Sequence, residues 1–183
     1  MRELSLHLLD IAENSVAAGA RTVTITVRED LVADRMFLAV QDDGRGMDAA
    51  TVARVTDPFV TSRTTRKVGL GLPLLKETAE MCNGCLRITS TLGQGTLVEV
   101  EFQHSHIDRM PLGDLAGTLL TLLVSSPDVH WIFVYQVNDD TFRLDDEPIK
   151  AELTGVALSE PSILTFLREE IGAGVARLQP VTS

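Results

Sequence analysis

Residues 1–103 predict a two-layer α/β sandwich, with helices on one side of a mixed, largely antiparallel sheet, and residues 104–183 predict a small α/β extension that either continues the sheet or makes a small second lobe for a partner. Three observations carry this. The first is a helical stripe over 2–18, where Leu4, Leu8, Ile11 and Ala12 recur on one face. The second is strict alternation over 21–28, Arg-Thr-Val-Thr-Ile-Thr-Val-Arg, which marks a half-buried strand with Val23, Ile25 and Val27 inward. The third is an apolar run, Met36 to Val40, that stops at Gln-Asp-Asp-Gly-Arg-Gly-Met, so that a strand meets a tight turn with Asp42 at the junction.

The elements follow in order. On the first helix Glu3, His7, Asp10 and Asn14 share a second face, which stacks Asp10 and Asn14 as neighbours and leaves His7 facing solvent. Residues 29–34 read as a turn and 36–41 as the second strand. Asp48 is suited to cap a short helix over 49–55, which Asp57-Pro58 ends. Residues 60–67, Val-Thr-Ser-Arg-Thr-Thr-Arg-Lys, form a polar stretch of lid length, and its Arg63, Arg66 and Lys67 are the densest positive cluster in an acidic chain. A helix over 70–81 tolerates Pro73 because it falls in the first turn. Residues 86–91 and 96–102 then read as paired strands around Leu92-Gly-Gln-Gly95.

Beyond residue 103 an apolar helix runs from Pro111 through Val124, strands cover 131–137 and 141–144 about an Asn138-Asp139-Asp140 turn, and a last helix spans 160–171. No chemistry is legible there. His104-Ser-His106-Ile-Asp108 lacks the further ligand a zinc site needs.

Gly44 and Gly46 let the backbone bend and let a flat ligand approach, since neither carries a Cβ. Gly69 and Gly71 precede a helix, where free amides and the positive end of the helix dipole suit a phosphate. Asn14, the Asp42–Gly46 turn, Phe59, the second glycine pair and Gly95-Thr96 occur in the order and spacing of the boxes of the Bergerat-fold (GHKL) ATPases. This stretch resembles that superfamily, which includes DNA gyrase B, the heat-shock-90 chaperones, sensor histidine kinases and the MutL repair proteins. The short lid makes it most similar to the histidine-kinase and anti-sigma serine-kinase branches.

The resemblance implies ATP and Mg²⁺ as ligands. It places Asn14, Asp42, Gly44, Gly46, Met47, Phe59, Thr61, Arg63, Lys67, Gly69, Leu70, Gly71, Leu72 and Thr96 in an ATP-binding set, with Asn14 on the metal. It puts Asp10 in the position of a catalytic acid or base, where the gyrase-like branch has the longer glutamate. Asp42 is then the acceptor for the adenine amine, a donor that guanine lacks at that position.

Composition narrows the partners. A net charge of −10 with lysine only at 67, 76 and 150 argues against a general nucleic-acid surface. No segment has the ~20 apolar residues of a membrane span, and no signal-peptide pattern opens the chain, so a cytoplasmic location is expected. Cys82 and Cys85 form one isolated Cys-x-x-Cys and read as reduced thiols.

Two functions are compatible with this. One is an ATPase or protein kinase acting on a protein partner in trans, since no dimerising hairpin with a phosphoaccepting histidine precedes the Asn14 box. The other is a non-catalytic ATP/ADP sensor that regulates a partner. A homodimer is compatible with either.

Overall fold

Strand β1 (Thr22–Asp30) lies inside the sheet of this computed structural model, which describes residues 3–57 and 71–179. With β2 (Arg35–Asp42), β3 (Cys85–Thr91), β4 (Gly95–Gln103), β5 (His130–Val137) and β6 (Asp140–Asp145) it forms one six-stranded sheet in the order β3-β4-β2-β1-β5-β6. Among the described residues the β1–β5 pair alone is parallel, as the crossover between them requires.

The inward residues alternate as the pleat demands. Val23, Ile25 and Val27 of β1, Met36, Leu38 and Val40 of β2, and Val98, Val100 and Phe102 of β4 are all buried. Trp131, Phe133 and Tyr135 continue the layer on β5. Each such large side chain stabilises the fold by about 1.5–3 kcal/mol when fully buried.

Over this face lie α1 (Leu4–Ala17), α3 (Gly71–Met81), α4 (Leu115–Ser125) and α6 (Pro161–Leu178), with α1 packed between α3 and α4. The short helices α2 (Ala49–Val55) and α5 (Asp146–Glu152) flank the layer. Among the described residues no helix covers the opposite face of the sheet, so the fold is the two-layer α/β sandwich. The C-terminal strands and helices share its sheet and its single hydrophobic cluster.

α1 is held at its start by tertiary contacts. Glu3 caps it without a side-chain bond, and the free amides of Leu4 and Ser5 instead donate to the carbonyls of Pro111 (3.0 Å) and Leu112 (2.9 Å). Flanked by helices on both sides, α1 buries a wide arc that includes Ser5, His7 and Ser15 beside its apolar stripe.

His7 therefore departs from the solvent-facing position expected of it, being only 3% exposed. Burial is the main cause that holds its pKa below the ordinary 6.5, so the imidazole is neutral at physiological pH.

At the sheet end remote from Asp42, buried Glu29 accepts from the Tyr135 hydroxyl at 2.5 Å and meets His104 Nε2 at 2.6 Å. Burial and then Glu29 push the Tyr135 phenol well above its usual range.

Candidate functional site

The site is built at the end of β2, where Asp42 leaves the sheet opposite Val23 of β1 and Thr96 of β4. Its carboxylate is fixed from three directions. Oδ1 accepts from the Gly44 amide at 2.9 Å and the Thr96 amide at 3.3 Å, and Oδ2 accepts from the Ser15 hydroxyl of α1 at 2.6 Å. The structure thus brings Asp42, Gly44 and Thr96 together over a sequence separation of more than fifty residues.

The turn after Asp42 is clamped between α1 and the β3–β4 turn. The Arg45 amide donates to Ala18 O at 3.0 Å, and Arg45 O accepts from the Gly93 amide at 2.7 Å. Asp43 Oδ1 takes the Arg21 and Thr22 amides at 2.7 and 2.9 Å. Burial would raise the Asp43 pKa, but these amide bonds outweigh it and hold the carboxyl below its ordinary value.

Gly46 has φ +67°, and a Cβ there would stand 2.0 Å from the Thr91 carbonyl oxygen. Two independent constraints therefore exclude a side chain. Gly46→Ala is expected to cost several kcal/mol or to displace the turn from Thr91, as the sum of left-handed strain of about 1–3 kcal/mol and a backbone clash. A thermal melt and an ADP titration of the variant, both strongly weakened, check this.

Met47 is held by its amide, which donates to Ser90 Oγ at 2.8 Å, while that hydroxyl also contacts Gly95 O at 3.0 Å and Thr96 Oγ1 at 2.9 Å. Ser90 and Ser15 are the two site residues that sequence reasoning missed. Both are small hydroxyls in ordinary patterns, and neither announces a partner far along the chain.

Asp10 and Asn14 lie half-buried on α1, one turn apart. Gly71 and Leu72 open α3, and both are buried. Phe59, Thr61, Arg63, Arg66, Lys67, Gly69 and Leu70, and with them the expected lid, fall outside the described residues.

Other clusters are accounted for without a ligand. His104 turns to Glu29, while His106 meets Asp108 at 3.9 Å, so the His-x-His-x-Asp run does not converge. Among the described residues one group has metal-like spacing, His130, Asp145 and Asp146. There the Lys150 ammonium stands 2.6 Å from Asp146 Oδ2, off the ideal hydrogen-bond line, so the cluster already holds a cation of its own.

Both cysteines are free thiols on different sides of the sheet. Cys82 sits in the core, where burial raises its pKa, and Cys85 lines the open face. A shallow depression of about 310 Å³ on that face, between Arg28, Phe37, Arg87 and Glu99, lies on the side away from the helices. Arg28 stacks on Phe37 there, and Arg35 pairs with Glu101.

Residues 2–106 match the family described as histidine kinase-, DNA gyrase B- and HSP90-like ATPase. The chain is 35% identical over 117 residues to the non-motile and phage-resistance protein of Caulobacter vibrioides, covering 59% of this chain and 14% of that protein. It is 37% identical over 73 residues to the sensor histidine kinase YxdK of Bacillus subtilis, covering 38% of this chain and 22% of the relative. The chain thus spans less than a quarter of the length of these relatives.

Among solved structures it is similar to the N-terminal domain of a DNA repair protein, with a TM-score of 0.53 and 12% identity, over 85% of this chain and 57% of the other. At that identity the likeness is one of fold, and it covers more of the chain than residues 2–106. The chain belongs to the histidine kinase-, DNA gyrase B- and HSP90-like ATPase family.

Proposed function

We propose that this chain binds Mg-ATP at the end of β2 and acts as an ATPase or protein kinase on a protein partner in trans, in the cytoplasm. The observation that carries the reading is the Asp42 carboxylate, held by Ser15, Gly44 and Thr96 beside a turn in which Gly46 admits no side chain. A carboxylate so fixed is an acceptor aimed in one direction, and an adenine amine is a donor of matching geometry.

The donors present fit the remaining groups. The Asn14 amide offers a hard oxygen, and Mg²⁺ takes few protein ligands and keeps several waters. When bound, the metal supplies charge neutralisation at the phosphates. The N-terminus of α3, which opens at Gly71, would offer them its first-turn amides. Lid residues Phe59, Thr61, Arg63 and Lys67, with Gly69 and Leu70, complete the set on sequence grounds.

Asp10, one turn before Asn14, is the group we assign to orient the attacking oxygen and accept its proton as the terminal phosphate leaves ADP. Asp10→Asn keeps the shape and removes the base. Nucleotide affinity is expected to stay within about twofold while turnover falls about 10²–10⁴-fold, the usual contribution of such a group. ADP release assayed with and without candidate partner proteins, beside a calorimetric titration, separates the two functions. Tight binding with no turnover in the wild type under any of these conditions leaves the non-catalytic sensor instead.

A further inference from the structure

With the adenine reading above as its premise, we infer that Ser15 is the positioning residue that aims Asp42 and so sets the preference for a 6-amino over a 6-oxo purine. Ser15 is 2% exposed and lies within reach of two acceptors, Asp42 Oδ2 at 2.6 Å and Ile11 O at 3.3 Å. A hydroxyl has one proton. The shorter bond to the ionised acceptor takes it, because a charge-assisted bond is roughly twice as strong as a neutral one.

A carboxylate offers about four lone-pair directions. On Asp42 the Gly44 and Thr96 amides use two at Oδ1, and Ser15 uses one at Oδ2. One direction remains, on the oxygen that Ser15 holds. Ser15 therefore decides where the free lone pair points, although it need not touch the base itself.

Without that hydroxyl the carboxylate can turn about its two amide bonds, and a water can take the vacated place. Water donates as readily as it accepts, so it can bridge to a 6-oxo group that the bare carboxylate repels. The expected consequence is a loss of discrimination as well as of affinity.

The test is calorimetric titration of the full chain with ADP and with inosine diphosphate, in the wild type, Ser15→Ala, Ser15→Thr and Asp42→Asn. Ser15→Ala should weaken ADP binding about tenfold while changing inosine diphosphate little, and Ser15→Thr, which keeps the hydroxyl, should restore the ratio. Equal losses for both nucleotides in Ser15→Ala, or an unchanged ratio beside an Asp42→Asn variant that has lost ADP, mean a packing role and overturn the inference. If Asp42→Asn binds ADP as well as the wild type, the base-reading site itself is wrong and this inference falls with it. Should Ser15→Ala not fold, Ser15→Cys serves, since a thiol is a weak donor of similar size.

Discussion

Replacing Asp42 with Asn is expected to weaken ADP binding by at least about a hundredfold and to turn the site toward 6-oxo purines. The direction follows from the donors around the carboxylate. Two amides, Gly44 and Thr96, point at Oδ1, so the asparagine carbonyl must stay there and its NH₂ must take the place of Oδ2. Ser15 can then turn its proton to Ile11 O and accept from the new amide, so the fold tolerates the change. The base meets a donor where it had an acceptor.

A lost hydrogen bond to a charged group is worth about 1.5–3 kcal/mol, and the facing donors left unpaired cost about 1–3 more. Together these come to about 2.5–6 kcal/mol, a range that lies mostly above the roughly 2.8 kcal/mol that a hundredfold represents. Titrations with ADP and inosine diphosphate should show the ratio of affinities reversing. An unchanged ADP affinity would move the adenine site elsewhere.

Deleting residues 104–183 is expected to leave a chain that does not fold cooperatively, even though the family match ends near the cut. β5 pairs with β1 along Thr22 to Glu29, so its removal opens a long edge in the middle of the sheet. α4 covers one flank of α1, and the Pro111 and Leu112 carbonyls complete its first turn. With them go Trp131, Phe133, Tyr135, Leu119, Leu122 and Leu123 from the one core cluster. At about 1.5–3 kcal/mol for each large buried side chain, these losses match or exceed the 5–15 kcal/mol by which a domain is stable.

The exposed strand edge should also drive aggregation. Circular dichroism melts and gel filtration of residues 1–103 beside the full chain check this. A monomeric fragment with a cooperative melt close to the parent's would show that the extension is dispensable for folding.

The strands were the most legible part of the chain, because their inward residues obey a period of two wherever one face is covered. β1 and β2 extend one or two residues past their sequence bounds, as hydrogen-bonded pairing continues after the apolar pattern ends. α5 was not legible. Asp-Glu-Pro-Ile-Lys-Ala-Glu is too short to show a helical period, and it forms because Asp145 accepts from the Glu147 amide and Asp146 pairs with Lys150.

α6 runs to Leu178, past the Ile171 boundary, since Gly172 and Gly174 look like a stop in sequence. In the fold Gly174 serves close packing, for a Cβ there would lie 2.3 Å from the Phe142 ring. The misplacement of His7 has a similar origin. One apolar stripe implies one buried face, but a helix set between two others buries more than its stripe. For the candidate site, Asp42 and its glycines stood out because a turn needs them. Ser15 did not, because a contact made across 27 residues leaves no local trace.

The first amides of α1 end on carbonyls of the segment leading into α4, and the same helix carries Asp10, Asn14 and Ser15 farther along. A helix transmits displacement along its axis almost without loss. Whatever pulls on the segment leading into α4 thus has a handle on the rod to which Asp42 is tethered, and the grip reaches the pocket without touching it.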